Sequence, residues 1–227
     1  MTNFVKCISW AFVVGVAFCV APASAVPIVF NFTGGNGAQA PSYVFSNGGL
    51  SLKVASNIAS EPGNTSNTTV TTAGKVGKWQ YGLGILDGDR NDAHYVDGSG
   101  KNDVLSLLFS AKVKIISVMF SYNRANDNFA FLFDRGKDGS LTNDLVWKSK
   151  DIPGNSFYGT YTFLALERSR YAGKLFGIGA FGDYDQFKLA AITVEKVSSV
   201  PLPPAVMFLG TGLLGLAGLR RRKSVKA

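Results

Sequence analysis

Cysteine is almost missing from this chain. Its 227 residues include two, Cys7 and Cys19, both ahead of residue 26. Beyond that point there can be no disulfide, no thiol nucleophile and no cysteine-based metal site. Histidine occurs once, as His94. A Ser-His-Asp triad therefore has one place for its base, and no G-x-S-x-G motif accompanies it. Zinc sites usually draw on more than one His or Cys. Glutamate is confined to Glu61, Glu167 and Glu195. No P-loop or dinucleotide fingerprint occurs; Gly82-Leu83-Gly84 is half of one and does not open a helix. Sustained 3.6-residue periodicity and internal repeats are also missing from residues 26–199. What remains must fold on its core alone.

Charge is scarcer than the totals suggest. The chain carries 23 basic and 15 acidic residues, a net +8. Six of the basic ones are Lys6, Arg220, Arg221, Arg222, Lys223 and Lys226, which lie at the two ends. Residues 26–199 hold 17 basic against 15 acidic, so the body is close to neutral. The high isoelectric point is a property of the termini, and no nucleic-acid partner is expected.

The ends carry the clearest signals. Lys6 precedes an apolar stretch, 8–20, and Ala23-Ser24-Ala25 follows with small residues at the cleavage positions. This is the pattern of a secretory signal peptide, read by the Sec machinery and cut by signal peptidase after Ala25. At the other end Val200-Pro201-Leu202-Pro203-Pro204 leads into an apolar run, 205–219, and then Arg220-Arg221-Arg222-Lys223. A helix of that length rises about 22 Å, short against roughly 30 Å of hydrocarbon. The basic cluster would stay on the cytoplasmic side, leaving the body outside.

This three-part tail resembles the PEP-CTERM sorting signal of Gram-negative bacteria in its Val-Pro-Leu-Pro variant. Pro201-Leu202-Pro203 matches the proline motif, 208–219 the Leu/Gly-rich span, and Arg220-Arg221-Arg222 the stop. Leu202 stands where the commonest form has Glu. The resemblance covers about 28 residues, 200–227. It implies recognition by an exosortase and cutting near the prolines. It also implies transient anchoring in the inner membrane, then delivery to the cell surface or exterior, in a setting of exopolysaccharide production. The chain thus reads as a signal peptide (1–25), a body (26–199) and a sorting signal (200–227).

The body's apolar residues are aromatic and β-branched, and turn-forming residues interrupt them every ten or so positions. Strands are expected at 27–32, 50–55, 68–72, 104–109, 113–120, 129–133, 145–147, 175–181 and 187–197. Residues 160–166 fit either strand or helical turn, and Ala190-Ala191 shifts the alternation of the last strand as a bulge would. About ten strands and no sure helix predict an all-β fold, an antiparallel two-sheet sandwich of jelly-roll type, flanked by a signal helix and a transmembrane helix. Residues 181–189 are similar to the closing strand of jelly-roll domains in exported bacterial proteins.

Two kinds of chemistry remain. Asp87-Gly88-Asp89-Arg90-Asn91-Asp92 begins like a calcium loop, but Asp92 stands where an EF-hand glycine belongs and Gly98 where its bidentate Glu belongs. Asp87, Asp89 and Asn91, with Asp183 and Asp185, form the candidate ligand set for a structural Ca²⁺; the bland alternative is turn-making. No organic cofactor is expected. Trp79, Tyr81 and Tyr95 lie beside polar turns and are candidates for stacking on sugars, against core packing as the commoner use of such rings. The body therefore reads as non-catalytic, a structural or carbohydrate-binding component that meets exopolysaccharide. The rival reading is a secreted polysaccharide hydrolase with paired carboxylates. Intact mass of the protein from its native cell should begin at Val26 and lack Arg220 to Lys223; retention of Met1 or of the arginine cluster would refute the reading of both ends.

Overall fold

Strong β-formers in short runs can bury their apolar face only by pairing with one another. The computed structural model describes residues 26–60, 68–88, 94–154 and 157–197. It has fourteen strands: β1 (Ile28–Asn31), β2 (Ala38–Ala40), β3 (Ser42–Asn47), β4 (Leu50–Ala59), β5 (Val70–Thr72), β6 (Lys75–Trp79), β7 (Gly82–Leu86), β8 (Val96–Asp97), β9 (Asn102–Ser121), β10 (Asn128–Phe133), β11 (Leu145–Asp151), β12 (Tyr158–Thr162), β13 (Ala172–Gly179) and β14 (Gln186–Lys196). One short helix, α1 (Ala165–Arg170), lies between β12 and β13.

The class is all-β and every pairing is antiparallel, as the sequence predicts. Hydrogen bonds link the strands into one continuous sheet, with β11-β10-β13-β9-β14-β7-β6-β2 as its main path. The link is β9, which runs for 20 residues where two strands, 104–109 and 113–120, are expected. Ser110-Ala111-Lys112 lacks the glycine, proline or asparagine that would make a turn, so the chain runs on. Its first half pairs with β4, Leu52 opposite Phe109 through Ala59 opposite Asn102. Its second half pairs with β14, and with β12 from Ser117 to Ser121. Against β13 the register slips: Gly173 faces Val113 while Leu175 faces Leu108. The extra β9 residues bulge there, and a bulge bends its strand.

The bend brings the aromatic faces together. Phe120 of β9 sits 4.9 Å from Phe129 of β10 and 4.9 Å from Phe187 of β14. Phe30 of β1 lies 5.8 Å from Phe109, on the other side of the β9 bulge. In β4 the expected alternation holds, with Leu50, Leu52 and Val54 buried and Ser51 and Lys53 exposed. The shift at Ala190-Ala191 is present as a register slip between Leu189 and Ala191. β10 is buried on both faces: beneath Ala130 and Leu132 a smaller cluster gathers Leu141, Leu145, Leu175 and Phe181.

The ambiguous segment proves to be both alternatives in turn, strand to Thr162 and helix from Ala165. Glu167 starts that helix by accepting the Leu164 N–H at 2.8 Å and approaches the Tyr161 hydroxyl at 3.3 Å. Burial, with the Glu167 charge second, pushes Tyr161 up to about 12. No helix among the described residues is long and apolar enough to cross a membrane. The signal helix and the transmembrane helix expected at the ends lie outside the described residues. Replacing Phe120 by Ala should lower unfolding free energy by about 3–5 kcal/mol, read by urea titration, because the ring is fully buried among others.

Candidate functional site

The three aromatic residues singled out in the sequence come to one end of the sheet. Trp79 closes β6, and Gln80-Tyr81 turns the chain into β7, with Trp79 opposite Gly82. Two glycines permit the close packing. A Cβ on Gly82 would lie 2.5 Å from the Leu189 carbonyl oxygen, and one on Gly84 would collide with that of His94. The pair that looked like half a dinucleotide fingerprint is therefore glycine so that β14 and the 94–95 backbone can lie close against β7. The Trp79 indole folds back over Gly77, where a Cβ would collide with its ring. The Ser121 hydroxyl donates to the Tyr81 carbonyl at 2.5 Å and ties the turn to the end of β9.

Tyr122 follows β9 with φ at +55°, in the left-handed region, which turns its ring out of the strand's alternation. Its N–H donates to the Phe157 carbonyl at 2.8 Å. A run of rings results. Tyr95 lies 5.9 Å from Tyr122, Tyr122 lies 5.0 Å from Tyr81, and Tyr81 lies 4.9 Å from Phe157. Phe157 in turn lies 5.0 Å from Tyr158. Phe157 and Tyr158 are 39 % and 42 % exposed, and Tyr81, Tyr95 and Tyr122 are half-buried. Burial, and then the neighbouring Tyr81, Tyr95 and Tyr158 hydroxyls, raise the Tyr122 pKa above the ordinary tyrosine value. The patch thus presents ring faces and neutral hydroxyls.

Beside it stands a cation that sequence reasoning missed. Lys188 of β14 is 6 % exposed. Its ammonium lies 4.2 Å from the Trp79 ring centre and 4.7 Å from that of Tyr95, and it donates to the His94 carbonyl. Two ring faces and a carbonyl replace much of the water lost on burial. His94 is exposed and stacks on Trp79 at 5.1 Å with 7° between the planes. A lysine in a strand gives no sign of this in sequence; the rings come from the end of β6 and from the segment before β8, which the pairing of β14 with β7 and β8 brings alongside it. Two further tyrosines go elsewhere: Tyr161 is buried in the core and Tyr184 is 88 % exposed.

The carboxylates part company. Asp87 pairs with Lys101 at 3.3 Å. Asp89 and Asn91 lie outside the described residues, and Asp183 is exposed. Asp185 is buried and accepts the Asn128 N–H at 2.9 Å, so it joins β14 to β10. Burial raises its pKa above the usual carboxylate value, and does the same for Asp127. A different trio converges: carboxylate oxygens of Asp134, Asp138 and Asp144 lie within 4.8 Å of one another. Oxygen donors in that arrangement suit a hard cation, and they also order their own loop. Asp134 accepts from the Asp138 and Gly139 N–H groups at 3.2 Å each, and Asp144 from Arg135 at 3.2 Å.

No protein-family model matches the chain, and no curated protein matches it. The site therefore stands on its geometry alone.

Burial, followed by the charges of Asp134 and Asp138, raises the Asp144 pKa, while the Arg135 N–H and charge oppose the rise. A raised carboxylate stabilises the fold fully below the unfolded pKa, near 3.9, and that contribution is lost as pH rises through the folded value. Asp144→Asn, which stays neutral, should therefore melt higher than the parent at pH 7 in the presence of a chelator. The gap should close as pH falls towards 3. A constant gap would show that charge at Asp144 is not the cause.

Proposed function

We propose that this protein is an exported, non-catalytic component of the cell surface or extracellular matrix whose body binds polysaccharide through the aromatic end face. The observation that carries the reading is the run Tyr95, Tyr122, Tyr81, Phe157 and Tyr158, partly exposed and contiguous. Sugar rings have faces lined with C–H groups, which settle on the negative faces of aromatic rings; the tyrosine hydroxyls supply hydrogen bonds at the rim. Lys188 lies over the Trp79 and Tyr95 rings, and His94 stacks on Trp79. Rigid rings lose little entropy when a polymer is laid across them.

The rest of the reading comes from the ends of the chain. Signal peptidase releases the body at Val26, exosortase handles the tail at Val200-Pro201-Leu202-Pro203-Pro204, and the inner membrane holds the protein only in transit. The jelly-roll type of sandwich belongs to the same proposal: its support is the continuous sheet folded about β9, with aromatic contacts between strands that serve opposite halves. The structural Ca²⁺ site of Asp87, Asp89, Asn91, Asp183 and Asp185 is kept within it as expected from the sequence, and a melting temperature that does not change between Ca²⁺ and EGTA would remove it.

Affinity electrophoresis against the exopolysaccharide of the protein's own cell tests the central statement. Tyr81→Ala and Tyr122→Ala should each weaken retention about 3- to 10-fold, the equivalent of about 0.5–1.5 kcal/mol per ring contact. No reducing sugar should be released. Unchanged retention in both variants would refute the platform, and steady release of reducing sugar would favour a hydrolase.

A further inference from the structure

A second surface, sharing no residue with the aromatic face, has its own chemistry. Lys53, Leu108 and Leu175 are directly opposed across β4, β9 and β13, so they share one side of the sheet. On that side Leu108 is 45 % exposed, while its neighbours Leu107 and Phe109 are buried on the other. The loop from Asp134 to Asp144 stands over this side and forms a wall. Leu141 pins it by inserting into the cluster with Leu132, Leu145 and Leu175. The Asp134 and Asp144 carboxylates hold its turns by accepting backbone N–H groups.

Two hollows result, of about 430 and 350 Å³, which share Leu108, Gly139 and Leu175 and so make one trough. Each is of the size that holds a small ligand or one or two units of a polymer. Lys112, Lys137 and Lys174 border the larger hollow and Lys53 the smaller. All four are exposed. None of the four makes an ion pair or a side-chain hydrogen bond among the described residues. Asp134 borders the larger hollow as well, but both its oxygens are turned to backbone N–H groups. Along the smaller hollow runs a neutral chain: the Thr72 hydroxyl donates to Asn57, and Asn57 donates to Ser106.

We propose that this trough binds a carboxylated polysaccharide. Four like charges around one concavity repel one another and draw in an anion. Hydroxyls and an amide along one side match sugar hydroxyls, and the exposed Leu108 gives a pyranose C–H face an apolar floor. A nucleic acid would want exposed rings for its bases, and the aromatic ring at the trough, Phe133, is only half-exposed. The trough and the aromatic face are separate sites with separate ligands, one reading charge and the other ring shape.

The test uses the full chain in mild detergent with polygalacturonate as probe, and with its methyl ester and duplex DNA as comparators. Binding to polygalacturonate should weaken as salt rises. Lys53→Gln, Lys112→Gln, Lys137→Gln and Lys174→Gln together should lower affinity by about tenfold or more, and Arg at the same four positions should keep it. Tyr81→Ala should leave it within about twofold, as expected for sites without shared partners. Equal affinity in the four-Gln variant, equal binding of the methyl ester, or DNA binding as tightly as polygalacturonate would each overturn the proposal. Loss of polygalacturonate binding in Tyr81→Ala alone would also overturn it, while leaving the aromatic platform standing.

Discussion

The structure depends on one strand being shared. β9 is hydrogen-bonded along its first half to β4 and β13 and along its second half to β14 and β12. Antiparallel pairing alternates the side-chain faces with a period of two, so a strand common to both halves sets which residues of either can point inward. Phe109 and Phe120 lie on opposite sides of the bulge, and both reach the core. A slip on one side would carry the error into the other. Without a disulfide, that shared ladder and the phenylalanine cluster along it are what hold the body together.

Both candidate surfaces are consequences of the same strand. The aromatic face gathers where β9 ends: Ser121 holds the Tyr81 turn, and Tyr122 leaves the strand with a left-handed backbone. The trough lies along its first half, where Leu108 faces outward between β4 and β13. The bend that packs the core inside also sets the two surfaces on different stretches of β9.

Much of the fold is legible in the residues. The alternation of Leu50, Leu52 and Val54 predicts the buried face of β4, and Ala190-Ala191 marks a register slip that is there. Other parts are not. β2, β3, β6 and β8 are short, polar or rich in glycine, and they are strands because longer neighbours offer them partners. Ser110-Ala111-Lys112 looks like a gap between strands and is a bulge within one, since nothing in it can reverse the chain. Trp79, Tyr81 and Tyr95 are visible as candidates, while Lys188 is not: its position beside two rings follows from how β14 pairs with β7 and β8. The same holds for Asp134, Asp138 and Asp144, whose convergence needs the loop to close on itself.

Local chemistry, then, determined what needs only neighbours in the chain: the β class, the positions of the longer strands, and a body from residue 26 onward without cysteine. Those are properties of short segments, set by side-chain period, charge and apolar length. The tertiary structure alone decided that one continuous sheet forms, that the rings meet at one end, and that four lysines from β4, β9, β13 and the β10–β11 loop border one trough. Each of these joins residues from distant parts of the chain, and their proximity exists only after the long-range pairing along β9 has offset the entropy of closing the loops between them.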